Sequence, residues 1–275
     1  MGIKTWFREN LRLVIHRFPL VYKWCLMFVR DYGKHYYRKL DRDGRYSEAL
    51  RRLKDSKKGK RCFIIGNGPS LKVEDLEKLT QEDCFGSNRI YKIFPQTKWR
   101  PLYYTTVDWR GLDNDEVNAL DTPYLFVGDY FWRKHRVTRD RVYVFYGHRL
   151  LDTKLSSFRF SSDITKEVYL AATVTYANIQ IAAYMGYSEI YLLGMDHTYA
   201  YVRDQKGGVV RNEKVASSHF FQDNDPSKNY GDMDGMTNAY IAAKQYADEH
   251  GICIYNATRG GALEVFPRVE FDQLF

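Results

Sequence analysis

The stretch FIIGNGPSL, residues 63–71, decides the fold class. Three β-forming residues run directly into a turn that holds two glycines, a proline and two small polar residues. Gly66 and Gly68 allow another backbone to approach closely, and Ser70 can cap a helix that begins near Leu71. The stretch therefore predicts a buried strand, a tight turn and a helix, which is the repeating unit of an α/β sheet.

Further strand-like runs recur along the chain, with helical patterns between many of them. The strand-like runs are residues 62–65, 83–87, 102–107, 124–127, 142–146, 189–194 and 252–256. Helical patterns fall at about 71–79, 112–120, 172–185 and 236–250. This alternation predicts an α/β fold with a doubly wound, mostly parallel, Rossmann-like sheet.

The length and composition predict one such domain with two additions. The chain of 275 residues suits a single α/β domain and an appendage. We expect a helical, basic N-terminal appendage over residues 1–58, with a short helix at 45–55 and a polar linker at 56–60. We expect the Rossmann-like domain over 59–275, with a lid at about 201–235, because that polar stretch lacks periodicity.

The positive charge belongs to the N-terminal segment. Residues 1–60 carry 17 Lys and Arg against 6 Asp and Glu, a net +11. The whole chain has 42 basic and 34 acidic residues, so the remainder has 25 against 28, a net −3. A nucleic-acid-binding core would carry its own positive face. We therefore expect no nucleic-acid partner.

Two interpretations of the basic segment stay open. Residues 11–29 contain too many charges to span a bilayer. The segment can lie as amphipathic helices on an anionic membrane surface, or it can pack on the domain or a partner. The membrane anchors would be Trp6, Phe7, Phe18, Trp24 and Phe28. The absence of paired-cysteine motifs and of a secretory signal pattern predicts a cytoplasmic protein, peripheral at the inner membrane face under the first interpretation. A homo-oligomer is a further possible assembly.

Polar side chains follow the predicted strands where they end. They are Asn67, Asn88, Asp108, Asp129, Asp196 and Asn256. Each one alone is also a common turn residue, but open parallel sheets bind ligands beyond the carboxyl ends of their strands. The backbone N–H groups at the helix start after the glycine turn suit an anionic phosphate. Together these features predict a pocket for a phosphate-bearing donor.

A second block, residues 172–201, leads to the same edge of the sheet. Thr173 or Thr175 can cap the helix that follows. The next strand ends at Gly194, and Asp196 and two tyrosines, Tyr199 and Tyr201, come after it. A helix N-terminus and a tyrosine-rich loop are therefore expected to meet at the predicted pocket.

Three ordered motifs carry a family resemblance. GNGPSL at 66–71, GSNRIY at 86–91 and MGYSEIYLLGMD at 185–196 resemble the bacterial sialyltransferases that use CMP-activated sialic acid. They are equally similar to a wider superfamily that includes motility-associated flagellin glycosyltransferases and an archaeal-type 6-hydroxymethylpterin diphosphokinase. The likeness covers about residues 60–260.

The resemblance implies roles for individual residues. Asn67 would bind the donor near its phosphate, Asn88 would bind the nucleotide, and Asp196 would lie by the cytidine. Tyr199 and Tyr201 would donate hydrogen bonds to the departing phosphate in place of a metal ion. Together with the strand-end residues, the predicted donor-binding set is Gly66, Asn67, Gly68, Ser70, Asn88, Asp108, Thr173, Thr175, Gly194, Asp196 and Asn256.

Transfer to a hydroxyl group also needs a general base. A histidine suits this role because its pKa is near neutrality. The lid sequence SSHFFQD offers His219, and the family's own base lies a few residues further on, where this chain has Asp223. His197, next to Asp196, is the alternative to His219.

The sequence therefore favours a glycosyltransferase that moves a sugar, such as a sialic-acid-like nonulosonate, from a CMP-type nucleotide donor to a glycan or protein acceptor. We expect no cofactor for this reaction. The alternative enzyme is a diphosphokinase that uses ATP and Mg²⁺, with Asp223, Asp225, Asp232 and Asp234 as candidate metal ligands. A third alternative is a non-catalytic subunit of a polysaccharide-assembly complex.

Overall fold

The computed structural model describes residues 19–108, 112–150, 155–203, 209–221 and 231–275. The centre of the structure is a seven-stranded sheet in which every neighbouring pair of strands is parallel. All strands of the protein are numbered in chain order. The strands of this sheet are β1 (Arg61–Ile65), β2 (Cys84–Ser87), β3 (Tyr103–Thr106), β4 (Tyr124–Gly128), β5 (Val142–Phe145), β8 (Glu189–Leu193) and β11 (Cys253–Asn256). Each of the seven corresponds to a run predicted from the sequence. The predicted α/β, Rossmann-like fold class is therefore confirmed.

The strand order is β11-β8-β1-β2-β3-β4-β5. The chain starts in the middle of the sheet, steps outward to β5, and then returns to place β8 on the other side of β1. Such a reversal leaves a crevice between the two halves at the carboxyl ends of the strands. The crevice therefore lies between the end of β1 and the end of β8.

The remaining elements surround this sheet. Four short strands form two separate pairs, β6 (Gly147–Arg149) with β7 (Val168–Leu170) and β9 (Tyr201–Arg203) with β10 (Val209–Arg211). The α-helices are α1 (Pro19–Leu40), α2 (Arg45–Arg51), α3 (Val73–Glu77), α4 (Asn114–Asn118), α5 (Asp129–Trp132), α6 (Val174–Met185) and α7 (Met233–His250). Short 3₁₀ segments cover Ile90–Gln96, Leu155–Ser157 and Phe271–Leu274.

The sheet is buried on both faces, which explains why its strands read as unbroken apolar runs. Along β1, Cys62 and Ile64 belong to the core on one face, while Phe63 and Ile65 belong to the core on the other. Helix α6 lies in the first core and is buried on nearly every side, with Ala183 its one residue that is only partly buried. Burial of α6 on this face fixes the position of its N-terminus beside the strand ends.

The segment that follows α1 packs closely on the domain. Leu50 of α2 is fully buried and belongs to the same core as α6. The residues predicted as a polar linker are also bonded to the domain, since Lys57 N donates to Met185 O and Gly59 N to Gly186 O. Residues 45–59 are therefore held against the C-terminal end of α6.

Part of the predicted membrane segment can be located. Trp24 and Phe28 are exposed on α1, whereas Trp6, Phe7 and Phe18 lie outside the described residues. Among the helices of the described residues, none combines the length and the apolar character that crossing a bilayer requires.

Replacement of Leu50 by Ala tests whether α2 is part of the folded domain. We expect a loss of about 2–5 kcal/mol in the free energy of unfolding, because the change opens a cavity in the core. The matched control is Arg51→Ala, since the Arg51 side chain is 61% exposed and should cost less than about 1 kcal/mol. Urea denaturation followed by circular dichroism measures both, and equal stability of the two variants would contradict the assignment.

Candidate active site

The glycine turn after β1 is packed against the end of β8. Gly66 N donates to Leu193 O at 2.7 Å, and Gly68 N donates to Gly194 O at 2.9 Å. A Cβ atom on Gly68 would lie 1.8 Å from Asp196 Oδ2, and a Cβ on Gly66 would lie 2.3 Å from Gly194 O. Both positions therefore require glycine because the two strand ends are in direct contact.

Ser70 has a different role from the predicted helix cap. Helix α3 begins at Val73, with Lys72 at its N-cap position and no side-chain cap. Ser70 instead donates its backbone N–H and its hydroxyl to the carboxylate of Asp196, with an Oγ–Oδ2 distance of 2.8 Å. Burial raises the pKa of Asp196, and the hydrogen bonds from Ser70 oppose that rise. The prediction that Ser70 caps a helix near Leu71 was wrong.

The N-terminus that faces the pocket is that of α6. Thr173 is its N-cap and accepts a hydrogen bond from Thr175 N at 3.2 Å, as predicted for one of the two threonines. Thr175 Oγ1 points to Met195 Sδ at 3.4 Å. The positive end of a 12-residue helix thus lies at the crevice, where it favours an anion.

His219 lies in the same pocket and is neutral at physiological pH. Burial, together with the cations Arg89 and Lys92, lowers its pKa to about 4. Its Nδ1 atom is buried without a hydrogen-bond partner. Its ring stacks on Phe221, with 5.0 Å between ring centroids. The next residue is fixed to the glycine turn, because Phe220 N donates to Asn67 O at 2.9 Å. His219 therefore lies next to a residue that is bonded to the turn, and its Nδ1 atom is buried without a partner.

The two predicted tyrosines are separated by the structure. Tyr199 lines the pocket and meets the His219 ring edge-on at 6.4 Å. Burial, with Tyr240 and Asp196 nearby, raises the pKa of Tyr199, so its hydroxyl keeps its proton. Tyr201 starts strand β9, and its hydroxyl accepts a hydrogen bond from Arg211. Tyr201 is absent from the lining of the pocket.

The pocket is small and lies next to a larger cavity. The pocket volume is about 70 Å³, below the roughly 300–1,000 Å³ of a typical ligand site. A second cavity of about 480 Å³ lies between α7 and residues 262–265, and His197 lines both. A nucleotide would therefore have to extend beyond the smaller pocket or widen it.

The hydrogen bonds of His197 define which of its ring nitrogens carries the proton. Its Nε2 atom lies 2.9 Å from Thr237 Oγ1, and that hydroxyl donates its own proton to Met233 O. His197 Nε2 must therefore be the donor of this pair. Burial lowers the pKa of His197, so the ring is neutral and its Nδ1 atom is a hydrogen-bond acceptor.

Ten of the predicted site residues line one pocket. They are Gly66, Asn67, Gly68, Asn88, Thr173, Thr175, Gly194, Asp196, Tyr199 and His219. Their roles toward a ligand stay predictions. Asn67 carries an unusual feature, because its Nδ2 donates to Ser87 O while its buried Oδ1 has no partner.

Other predicted residues do not line this pocket. Ser70 acts through Asp196, and Asp108 and Tyr201 lie elsewhere. Asn256 is fully buried and holds the C-terminal loop, since its side chain donates to Leu263 O and accepts from Thr258 N. Asp129, at the end of β4, likewise accepts from Gly147 N inside the protein.

Of the four aspartates predicted in the lid, the structure describes Asp232 and Asp234. Asp223 and Asp225 lie outside the described residues, and Asp232 caps α7 through Gly235 N. In the described part of the chain, no three His, Cys, Asp or Glu residues are grouped so that they could hold a metal ion.

Several pocket residues were not predicted. Met236 and Tyr240 reach the pocket from α7, one helical turn apart, and Ser87 and Ser218 also line it. Arg89 and Lys92 act on His219 through their charge. Arg89 lies inside the GSNRIY motif, directly after Asn88. This position next to a predicted site residue is the feature of the sequence that could have identified Arg89.

The comparison with protein-family models agrees with the motifs. The family model described as 6-hydroxymethylpterin diphosphokinase MptE-like matches residues 35–202, which is more than half of the chain. This match covers the glycine turn, β2, α6 and the end of β8. The match confirms the resemblance to the superfamily that the three sequence motifs indicate. No curated protein matches the chain.

Two solved structures are similar at low sequence identity. The MAf glycosyltransferase from Magnetospirillum magneticum AMB-1 has a TM-score of 0.47 and 14% identity, over 84% of this chain and 39% of that chain. The sialyltransferase CstII from Campylobacter jejuni, in complex with the substrate analogue cytidine-5'-monophosphate, has a TM-score of 0.35 and 17% identity, over 77% of this chain and 85% of that chain. The present chain thus spans less than half the length of the MAf glycosyltransferase.

Replacement of Gly68 by Ala tests the packing of the turn on Asp196. The added Cβ would clash with the Asp196 carboxylate and with Gly194 O, so we expect a loss of about 1–3 kcal/mol in the free energy of unfolding. Gly33→Ala is the matched control, since a Cβ there meets its nearest atom at an ordinary 3.6 Å. Thermal or urea unfolding measures the difference. A Gly68→Ala variant as stable as Gly33→Ala would contradict this packing.

Proposed function

The chain belongs to the MptE-like family, and we propose that it is a transferase that binds a nucleotide-activated donor in the pocket between β1, β8 and the start of α6. The observation that carries the proposal is the convergence on one cavity of a helix N-terminus, a neutral histidine and a protonated tyrosine. These are the groups that transfer from a phosphate-bearing donor to a hydroxyl requires.

The phosphate of the donor would lie at the start of α6. The glycine turn is less suited to this role, because the N–H groups of Gly66, Gly68 and Ser70 already donate within the protein. The N-terminal end of α6 supplies a positive dipole, and Arg89 and Lys92 add positive charge on the His219 side. This charge pattern favours an anionic group in the pocket.

His219 would take the proton from the acceptor hydroxyl. It is already neutral, so its ring can accept a proton, and its Nδ1 atom has no competing partner. A pKa of about 4 makes a weak base. A bound donor phosphate would offset the positive charges of Arg89 and Lys92 and raise that pKa toward neutrality. Donor binding would thus activate the base.

Tyr199 would stabilise the leaving phosphate, because its hydroxyl is protonated and it adjoins His219. The larger cavity beyond His197 would provide space for the acceptor or for the rest of the donor. The two cavities share the His197 side chain, so both substrates would approach one point.

We favour glycosyl transfer from a CMP-type donor, with a sialic-acid-like nonulosonate as the sugar and a glycan or protein as the acceptor. Such a reaction forms a glycosidic bond to the acceptor oxygen and releases the nucleotide with its phosphate. The three motifs that resemble the sialyltransferases contain eight of the pocket residues, and a ninth, His197, directly follows the third motif. Cys62, Cys84 and Cys253 are free thiols, which supports a cytoplasmic site for this activity.

The description of the family model favours a second candidate, diphosphoryl transfer from ATP to the hydroxymethyl group of a pterin. Mg²⁺ usually binds through one or two carboxylates and the phosphates of the substrate. Asp196 is a carboxylate in the pocket lining and would be the protein ligand. The ion would neutralise charge on the transferred phosphates.

A thermal-shift screen with CMP, UDP, GDP and ATP, each with and without Mg²⁺, separates the candidates. We expect CMP to raise the melting temperature without Mg²⁺, because the pocket offers its own positive charge to the phosphate. Stabilisation by ATP only in the presence of Mg²⁺ would support the diphosphokinase instead. No shift with any nucleotide would contradict both enzymes and favour a non-catalytic subunit.

Replacement of His219 by Gln tests the base. We expect turnover of a CMP-activated sugar to fall by about 10²–10⁴-fold while CMP binding is kept, since Gln cannot accept a proton. Because the base works in its neutral form, wild-type kcat/KM should fall only as the pH drops toward a pKa of about 4. The matched control is His250→Gln, at the exposed end of α7. Unchanged turnover in His219→Gln would remove this residue from the mechanism.

A further inference from the structure

Helix α1 carries an apolar stripe on its exposed side. Leu20, Trp24, Phe28 and Tyr32 are 74%, 72%, 74% and 55% exposed. Residues four apart lie on one face of a helix, so these four side chains form a single line. They make up half of the eight large hydrophobic residues that are exposed in the described part of the chain. A line of large apolar side chains on a surface marks an interaction site.

The rest of α1 fixes the direction of this stripe. Gly33 and Tyr37 are the buried residues of the helix among those whose side chains are described. Tyr37 Oη donates to Val144 O at 3.2 Å, and Tyr146 Oη donates to Arg30 O at 3.3 Å. The second half of the helix is therefore held on the domain by the face opposite the stripe. Within the described residues, no helix or strand covers the exposed side chains of Leu20, Trp24 and Phe28.

The exposed face changes from apolar to basic along the helix. Lys34, His35, Arg38 and Lys39 are all exposed. Arg38 follows Leu20 by 18 residues, about five full turns, and so lies on the same side. The exposed acidic residue of this face is Asp31, and it is paired with Arg30 at 3.0 Å. One continuous face thus has an apolar end and a cationic end.

We propose that α1 docks the protein on an anionic lipid bilayer. Leu20, Trp24 and Phe28 would enter the boundary between headgroups and acyl chains, and Arg38 and Lys39 would contact lipid phosphates. Helices that lie in the interface combine an apolar face of this kind with basic residues. Aromatic side chains are suited to headgroup depth. The proposal is independent of the reaction that the pocket performs.

The charge distribution favours a bilayer over a second copy of the chain. A symmetric pair of α1 helices would be isologous. If parallel, it would bring the basic end of one helix against the basic end of the other; if antiparallel, it would bring each basic end against an apolar end. Neither arrangement gives the apolar end of α1 an apolar partner and the basic end an anionic partner. An anionic bilayer does, and residues 1–60 carry a net charge of +11 to attract it.

Vesicle co-sedimentation of the full chain tests the proposal. The probes are vesicles of phosphatidylcholine alone and of phosphatidylcholine with 30% phosphatidylglycerol, at low and at physiological salt. We expect the protein to bind the anionic vesicles at least tenfold more tightly than the neutral ones, with weaker binding as salt rises. Equal binding to both vesicle types would overturn the proposal.

Two sets of substitutions locate the contact. Combined Leu20→Ser, Trp24→Ser and Phe28→Ser should weaken binding to anionic vesicles by more than tenfold without a change in melting temperature, because these side chains are exposed. Combined Lys34→Gln, Arg38→Gln and Lys39→Gln should remove most of the preference for phosphatidylglycerol. The matched control changes other exposed apolar residues, Leu155→Ser, Val209→Ser and Val210→Ser, and should bind normally.

Light scattering after size exclusion distinguishes the competing occupant. If the Leu20→Ser, Trp24→Ser and Phe28→Ser variant differs from the wild type in molecular mass but binds vesicles as the wild type does, the stripe is a dimer contact and the proposal is wrong. If mass is unchanged and vesicle binding is lost, the stripe is the lipid contact.

Discussion

The contact between the glycine turn and the Asp196 carboxylate is the constraint on which the rest of the site depends. Asp196 is nearly fully buried, and a buried carboxylate is costly unless hydrogen bonds satisfy it. Ser70 provides two of them, from its backbone N–H and its hydroxyl. Their geometry leaves no room for a Cβ on Gly68. The GNGPS and GMD sequences are therefore two halves of one contact that joins the neighbouring strands β1 and β8.

This contact determines where an anion can be bound. The turn gives its N–H groups to the protein, so the positive charge at the crevice is that of the α6 helix dipole, together with the charges of Arg89 and Lys92 near His219. The same contact positions the lid, because Asn67 O in the middle of the turn accepts a hydrogen bond from Phe220 N. The position of His219 in the pocket therefore follows from that of the turn.

The strands could be predicted because a parallel sheet covered on both faces gives continuous apolar runs, as in Cys62–Ile65. The strand-end polar residues could be predicted only as a group, because side chains such as Asn256 and Asp129 bond equally well inside the protein. Ser70 has the sequence context of a helix cap, and its true partner is 126 residues away. Met236 and Tyr240 belong to a helix whose pattern is that of any core-facing helix, so only the tertiary structure shows that they reach the pocket.

The separation of charge along the chain has a consequence for orientation. Residues 1–60 carry a net +11, whereas the remainder carries −3. An anionic surface attracts the first part and weakly repels the second, and this difference acts within about a Debye length of the surface. Anchoring by Leu20, Trp24 and Phe28 would then hold α1 toward the lipid and turn the body of the domain toward the water. The pocket, which belongs to the body, would in this way stay accessible to a water-soluble nucleotide donor while its acceptor is drawn from the surface or from solution.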